Sequence, residues 1–251
     1  MLLRLMSYNV RFGGSGREKL IASVIRECSP DLVVFQEATK PEVVERVADE
    51  AGMQFRASQT GYSVAFVSRV EIEKYEWRNL PQLQRAFLEI KPAGTQTKIF
   101  GVHLRAVHSN WTERRRVREL KALLHAINED RRNFHIITGD FNTLAPGERL
   151  DMNRLPRRLR LLALLLGGRV RYRTIQIMLD EGYADGYRLL HPEAGDERYT
   201  FPTWDPHARL DYVFVPKDSG ECIKSCRVAS DVTNAREASD HFPLLAEIEL
   251  P

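Results

Sequence analysis

Phe134-His135-Ile136-Ile137-Thr138-Gly139-Asp140-Phe141-Asn142 opens as an apolar run with the length and β-branched content of a buried strand, then breaks off at an acid and an amide. The same pattern recurs along the chain. Leu2 to Met6 leads into Ser7-Tyr8-Asn9, Leu32 to Phe35 leads into Gln36-Glu37, and Ser239-Asp240-His241 stands just before the apolar Phe242-Pro243-Leu244-Leu245. Polar groups therefore sit where strands end, and segments from both ends of the chain contribute them. Carboxylates, two amides and a histidine gathered at one sheet edge are the donors that a hard cation and a tetrahedral oxyanion require.

Around these runs the pattern is that of a layered α/β fold. A strand over residues 2–9, a helix near 17–28, a strand at 31–37 and a helix from about 41 to 51, with Pro41 at its start, alternate in the first fifth of the chain. From Gln54 to Ile90 shorter extended runs (Ser63 to Ser68, Glu71 to Trp77, Arg85 to Ile90) are expected to form an antiparallel meander. Thr97 to Leu104 reads as a strand ending in His103-Leu104-Arg105. Trp111 to Glu129 reads as a helix with Val117, Leu120, Leu124 and Ile127 on one face and its arginines on the others. Further strands are expected at Leu210 to Val215, Arg227 to Val232 and Leu244 to Leu250.

At 251 residues and 43% hydrophobic the chain can bury a proper core. Because the candidate site residues run from Asn9 to His241, a single domain over 1–251 is expected, carrying an Arg/Leu-rich helical insertion at about 150–182. Net charge is only +3, yet arginines crowd two stretches: Arg114, Arg115, Arg116 and Arg118, then Arg154, Arg157, Arg158, Arg160, Arg169, Arg171 and Arg173. Such clusters suggest a polyanionic partner, with nucleic acid meeting Arg114, Arg115, Arg118, Arg157 and Arg158, although a solvated helix face also accounts for them. The leucine-rich run Leu159 to Leu166 suits a lipid surface, or inward packing with arginines offered to phosphates, or a plain cover for the sheet; membrane contact is the less favoured. No obligate protein partner is evident. The three cysteines show no zinc or C-x-x-C spacing, which fits a reduced, cytoplasmic compartment. Met1 to Met6 runs directly into the first polar motif and reads as a strand and not a signal peptide; no stretch is long enough to span a bilayer.

Several residues invite a chemical role. Glu37 ends a run that otherwise calls for burial, so its carboxylate must be paired, hydrogen-bonded or bound to a cation. Asp140 and Asn142 are two apart and point the same way in an extended turn, one able to hold a water and the other a phosphoryl oxygen; alone they could be turn caps. Asp240 and His241 can divide metal and phosphate binding, with Asp211, at the start of an apolar strand, available to orient the imidazole. His103 ends a strand and could protonate a leaving oxygen. His108, His125, His135, His191 and His207 read as structural.

In order, Ser7-Tyr8-Asn9-Val10-Arg11, Gln36-Glu37, His103-Leu104-Arg105, Gly139-Asp140-Phe141-Asn142, Tyr199-Thr200-Phe201-Pro202, Arg209-Leu210-Asp211-Tyr212-Val213-Phe214-Val215 and Ser239-Asp240-His241 resemble the motif series of the endonuclease/exonuclease/phosphatase superfamily, over nearly the whole chain. The resemblance implies a DNase I-like four-layer αββα sandwich, two facing mixed β-sheets flanked by helices, with the site at one edge. It implies that Asn9 and Glu37 bind Mg²⁺ or Mn²⁺, with Asp240 contributing to the same or a second position. Asp140 would align or deprotonate the attacking water, Asn142 would hold a phosphoryl oxygen, and His241, oriented by Asp211, would stabilise developing charge. His103 is similar to the histidine that DNase I-like members use near the leaving group.

Arg11 departs from the acid that exonuclease III-type enzymes carry there, which argues against an AP endonuclease. Thr203-Trp204-Asp205 is similar to a piece of the tyrosyl-DNA phosphodiesterases, but packing of Trp204 on the core is the expectation adopted. The implied activity is divalent-metal-dependent hydrolysis of a phosphoester, nuclease-like or phosphodiesterase. The alternatives are a sphingomyelinase-like lipid phosphodiesterase, a phosphomonoesterase, or an inactive module binding nucleic acid or protein.

Overall fold

The computed structural model of the chain describes residues 1–106, 110–148, 154, 172–193, 195 and 198–251. Its strands are β1 (Leu2–Asn9), β2 (Leu32–Gln36), β3 (Phe55–Ala57), β4 (Ala65–Ser68), β5 (Ile72–Arg78), β6 (Phe87–Pro92), β7 (Lys98–His103), β8 (His135–Asp140), β9 (Tyr183–Asp185), β10 (Asp211–Pro216), β11 (Ile223–Val228) and β12 (Leu244–Glu249). The helices are α1 (Glu18–Cys28), α2 (Pro41–Ala51), α3 (Asn110–Ala126), α4 (Arg173–Asp180), α5 (Gly186–Leu190) and α6 (Ala235–Ala238). Two six-stranded sheets form, in the orders β11-β12-β1-β2-β4-β3 and β5-β6-β7-β8-β10-β9.

Side-chain alternation explains the layering. On β7 and β8, Ile99 and Ile136 join the core between the sheets, while their neighbours Phe100 and Ile137 join a second core with Leu120, Leu123, Leu124 and Ile127 of the α3 segment and Ile175 of α4. On β10, Val213 and Val215 face the first core, Tyr212 and Phe214 the second. A strand buried on both faces sends alternate residues to two apolar layers, which is why these runs read as continuously hydrophobic. On the far side α1 and α2 pack together over the first sheet, presenting Ile21, Val24 and Ile25 from one helix and Val43, Val44 and Val47 from the other. The result is a sandwich of helix, sheet, sheet and helix.

Gly101 lets the sheets approach: a Cβ there would lie 2.6 Å from Val34 Cγ1 of the opposite sheet. Gly139 is needed for a different reason. Its φ is +143° and a Cβ would fall 2.0 Å from the Val102 carbonyl oxygen of the neighbouring strand.

Strand register sets the site. β1 and β2 run parallel with Asn9 level with Gln36. β7 and β8 run parallel with His103 level with Asp140, and antiparallel β10 places Asp211 opposite Asp140.

Some expectations need correction. The stretch from Gln54 to Ile90 is no single meander: β3 and β4 pair in the first sheet, β5 and β6 in the second. β4 is buried throughout while β5 is largely exposed, as befits an edge strand. The strand expected at Arg227 to Val232 lies earlier, at Ile223–Val228, where Ile223, Cys226 and Val228 turn inward. Not all α3 arginines face outward, because Arg116 is buried against Glu113, at 2.8 and 3.0 Å. Of the insertion, α4 is described, whereas Leu159 to Leu166, Arg157 and Arg158 lie outside the described residues. Among the described residues no helix is long and apolar enough to cross a membrane.

Candidate active site

Asn9 bridges the two sheets. Its side-chain amide donates to Asp140 Oδ2 at 3.0 Å and to Glu37 Oε1 at 3.4 Å, while its carbonyl oxygen accepts the Arg11 N–H at 3.0 Å. Glu37 follows the last residue of β2 in the left-handed region, φ 58°, which swings its carboxylate toward β1. There Oε2 accepts the Phe12 N–H at 2.7 Å.

Asp140 and Asn142 do not share an extended turn as expected. Asn142 adopts φ 51°, so the chain folds back and its N–H donates to Asp140 Oδ1 at 2.8 Å. The Asn142 amide also donates to the Leu104 carbonyl at 3.1 Å, tying the end of β7 to the same loop.

On the other side of Asp140, Asp211 Oδ2 lies 2.8 Å from His241 Nδ1, and both residues are buried. Burial opposes charge on His241, but the Asp211 carboxylate, then Asp140 and Asp240, raise its pKa to about 10. It is an imidazolium at neutral pH. Burial first, then repulsion from Asp211, pushes the Asp140 carboxyl up to about 7. The Phe201 ring rests 4.8 Å from the imidazole, centroid to centroid, and Ser239 Oγ donates to the Asn9 carbonyl at 2.6 Å. Those contacts lock Ser-Asp-His onto the end of β1.

His103 is held differently. Its Nδ1 lies 2.6 Å from Ser63 Oγ, and its Nε2 stands 3.8 Å from Asp140 Oδ2. Burial, then the positive charges of Arg85 and His241, lower its pKa well below the ordinary value, so it is neutral and its contact with Asp140 is no ion pair. A neutral imidazole has one N–H to offer, which suits hydrogen bonding better than the proton donation anticipated from sequence.

Asp240 makes an ion pair with Arg11, Nε to Oδ2 3.3 Å. Asp140, Asp211 and His241 offer ligand atoms within 4.8 Å of one another, which could also hold a cation. With His241 protonated, however, that position already contains a positive charge. The Asn9 and Glu37 oxygens fit a metal better: Glu37 Oε1 has only a 3.4 Å amide contact and Glu37 is half-buried, open to a ligand. Among the described residues, buried Asp211 Oδ1 has no hydrogen-bond partner. Glu37, Asp140, Asp211 and Asp240 thus give this region hard oxygen donors, which suit a divalent cation.

A profile of the Endonuclease/Exonuclease/phosphatase family matches residues 6–241. The chain belongs to that family. As a member of the endonuclease/exonuclease/phosphatase family it is a phosphoester hydrolase. Solved structures agree on the fold: the 3′ phosphatase NExo from Neisseria bound to a product DNA hairpin (20% identity, TM-score 0.73, 98% of this chain and 99% of that one). An AP endonuclease from Archaeoglobus fulgidus is similar at 20% identity and TM-score 0.72, covering 99% and 100%. Truncated Caenorhabditis elegans TDP2 follows at 14% identity and TM-score 0.69, covering 99% and 98%. A search of curated protein sequences finds no significant match.

Four residues near the family site escaped the sequence reading. Arg85 donates to the Leu104 carbonyl at 3.3 Å, and its neighbours include Asp140, Glu119 and Glu37. Ser63 braces both His103 and the Glu37 N–H. Arg17 binds the carbonyls of Val10, Arg11 and Ala238, fixing the loop after β1. Phe12 supplies the N–H to Glu37. A basic residue just ahead of an apolar strand, as in Gln84-Arg85-Ala86-Phe87, is the one signal that marks Arg85. Trp204, expected on the core, is 63% exposed. His135, His191 and His207 each bond a backbone carbonyl, and His108 lies outside the described residues.

Proposed function

We propose that the chain is a divalent-metal-dependent phosphodiesterase of nuclease type. The observation that carries this is Asp140, joined to Glu37 through the Asn9 amide on one side and facing the Asp211–His241 pair on the other. In this reading Asn9 and Glu37 hold Mg²⁺ or Mn²⁺, with Asp240 beside them, paired to Arg11. A bound divalent ion neutralises phosphoryl oxygens and lowers the barrier to attack by water.

Asp140, with its carboxyl near 7, takes the proton of the attacking water as oxygen bonds to phosphorus and the bond to the leaving oxygen breaks. His241, charged and fixed by Asp211, donates a hydrogen bond to the phosphoryl oxygen that gains charge. Asn142 spends one amide proton on Leu104 and keeps one for the phosphoryl group. His103 and Arg85 steady Asp140 from the β7 side. Among the arginines proposed to meet nucleic acid, Arg114 and Arg118 are exposed on α3, whose Glu119 accepts the Arg105 N–H at 3.2 Å beside the site.

The test is hydrolysis by the purified chain, with Mn²⁺ and with EDTA, of plasmid DNA, RNA, bis(p-nitrophenyl) phosphate, sphingomyelin and a set of phosphomonoesters. Cleavage of nucleic acid and the aryl diester, abolished by EDTA and by Asp140→Asn, is expected. Cleavage confined to sphingomyelin or to monoesters, or equal inertness of wild type and Asp140→Asn, defeats the reading.

A further inference from the structure

Phe12 and Trp204 are the most exposed aromatic side chains among the described residues, at 75% and 63%. Both rings flank one cation: the Arg11 guanidinium carbon lies 5.3 Å from the Phe12 centroid and 6.0 Å from that of Trp204. Arg11 in turn pairs with Asp240, so this lip adjoins the hydrolytic site. Phe12 is held there at a conformational cost. Its φ is 50°, the left-handed region that disfavours a bulky residue, and Gly13 beside it occupies the same region freely. A phenylalanine both strained and in water contributes nothing to the fold that glycine would not, and such strain marks places where a ligand binds.

We propose that Phe12, Arg11 and Trp204 form a subsite for an unpaired nucleobase next to the scissile phosphate, the rings stacking on the base and the guanidinium meeting its edge or adjoining phosphate. The proposal rests on the phosphodiesterase reading and narrows it to nucleic-acid strands with unstacked bases. A nucleotide carries its flat ring one sugar away from phosphorus, and both rings here lie 5.3 and 6.0 Å from the guanidinium that pairs with Asp240. A membrane contact would need a broad apolar surface. Here polar groups border the rings: Lys40 bonds Ser15 at 2.8 Å, Asp205 follows Trp204, and Arg236 binds the Thr203 carbonyl at 2.8 Å.

The experiment measures affinity, in an Asp140→Asn background with Mg²⁺, for a short single-stranded thymidine oligonucleotide and for one of equal length built from abasic residues. The base-bearing strand is expected to bind about tenfold more tightly, the size of one or two stacked bases. Phe12→Gly and Trp204→Ala should each bring that ratio toward one, and Trp204→Ala should remove fluorescence quenching by the oligonucleotide. Phe12→Gly should also hold or raise the Tm, which separates lost binding from lost folding. A ratio of one in the parent protein, or a ratio that neither substitution moves, overturns the subsite. So does a result in which Phe12→Gly and Trp204→Ala abolish binding to phosphatidylserine vesicles and leave oligonucleotide binding intact. Hydrolysis of bis(p-nitrophenyl) phosphate by the wild type is read separately: hydrolysis with a ratio of one sinks the lip alone, and a tenfold ratio without hydrolysis sinks the enzyme reading alone.

Discussion

Asp140 carries a carboxyl at about 7 and His241 an imidazolium that persists to about 10, so the two protonation states that the proposed mechanism uses coexist between those values. The rate should therefore climb as pH rises through about 7, level off, and fall as His241 loses its proton near 10; kcat/KM against pH reads both limbs. Asp140→Asn should lower kcat by about 10² to 10⁴-fold, the usual share of a general base. Asp211→Asn should move the alkaline limb to lower pH, since the charge that holds the proton is gone. The same pair has a signature in stability. Folded His241 binds its proton more tightly than the unfolded chain, so its contribution is complete below about 6.5 and is lost as pH rises toward 10. Urea unfolding of metal-free protein should show that decline in the wild type and a shallower one in Asp211→Asn.

At the scale of elements, the start of β10 is pinned by Arg209. Fully buried, it forks onto both Asp185 oxygens at 2.9 and 2.7 Å, reaches Glu148 at 2.9 Å, and stacks 4.4 Å from the Tyr212 ring. Arg209→Met should cost ~3–5 kcal/mol in denaturant unfolding, because two buried carboxylates lose their cation. Replacing Asp185 and Glu148 by apolar residues in the same variant should recover much of it. Gly139→Ala combines a forbidden φ with a clash on the β7 backbone and should cost about 4 kcal/mol or more, or prevent folding, as circular dichroism would report. α3 is tied down in the same manner, by Glu113, which accepts from Arg116, Thr143 and the Thr174 N–H. Its burial also explains why an arginine-rich helix did not present every arginine to solvent.

For the molecule as a whole, what could be read in advance followed from period and punctuation. Long apolar runs ending in a polar residue located Asn9, Glu37, Asp140 and His103 because the site lies along strand ends. Asp211 was legible because an acid opening a buried strand demands a partner. Ser63 and Arg85 open expected strands but receive no chemical role from sequence, since they stand just ahead of β4 and β6 and no polar motif accompanies them. β3 and β9, three residues each, are too short for any alternation to register. The change of sheet after β4 was not legible either, because an exposed edge strand such as β5 can belong to either sheet. Trp204 sits in a loop without periodicity, so sequence offered no measure of its exposure.

The first and last strands of this fold lie side by side, β12 against β1 along Leu2 to Ser7. Without β12, β1 would keep only its parallel partner β2, and the Ser239-Asp240-His241 turn would lose the strand that follows it and holds it beside Asp211. Closing this sheet and seating the imidazole are thus one event, the docking of a single strand.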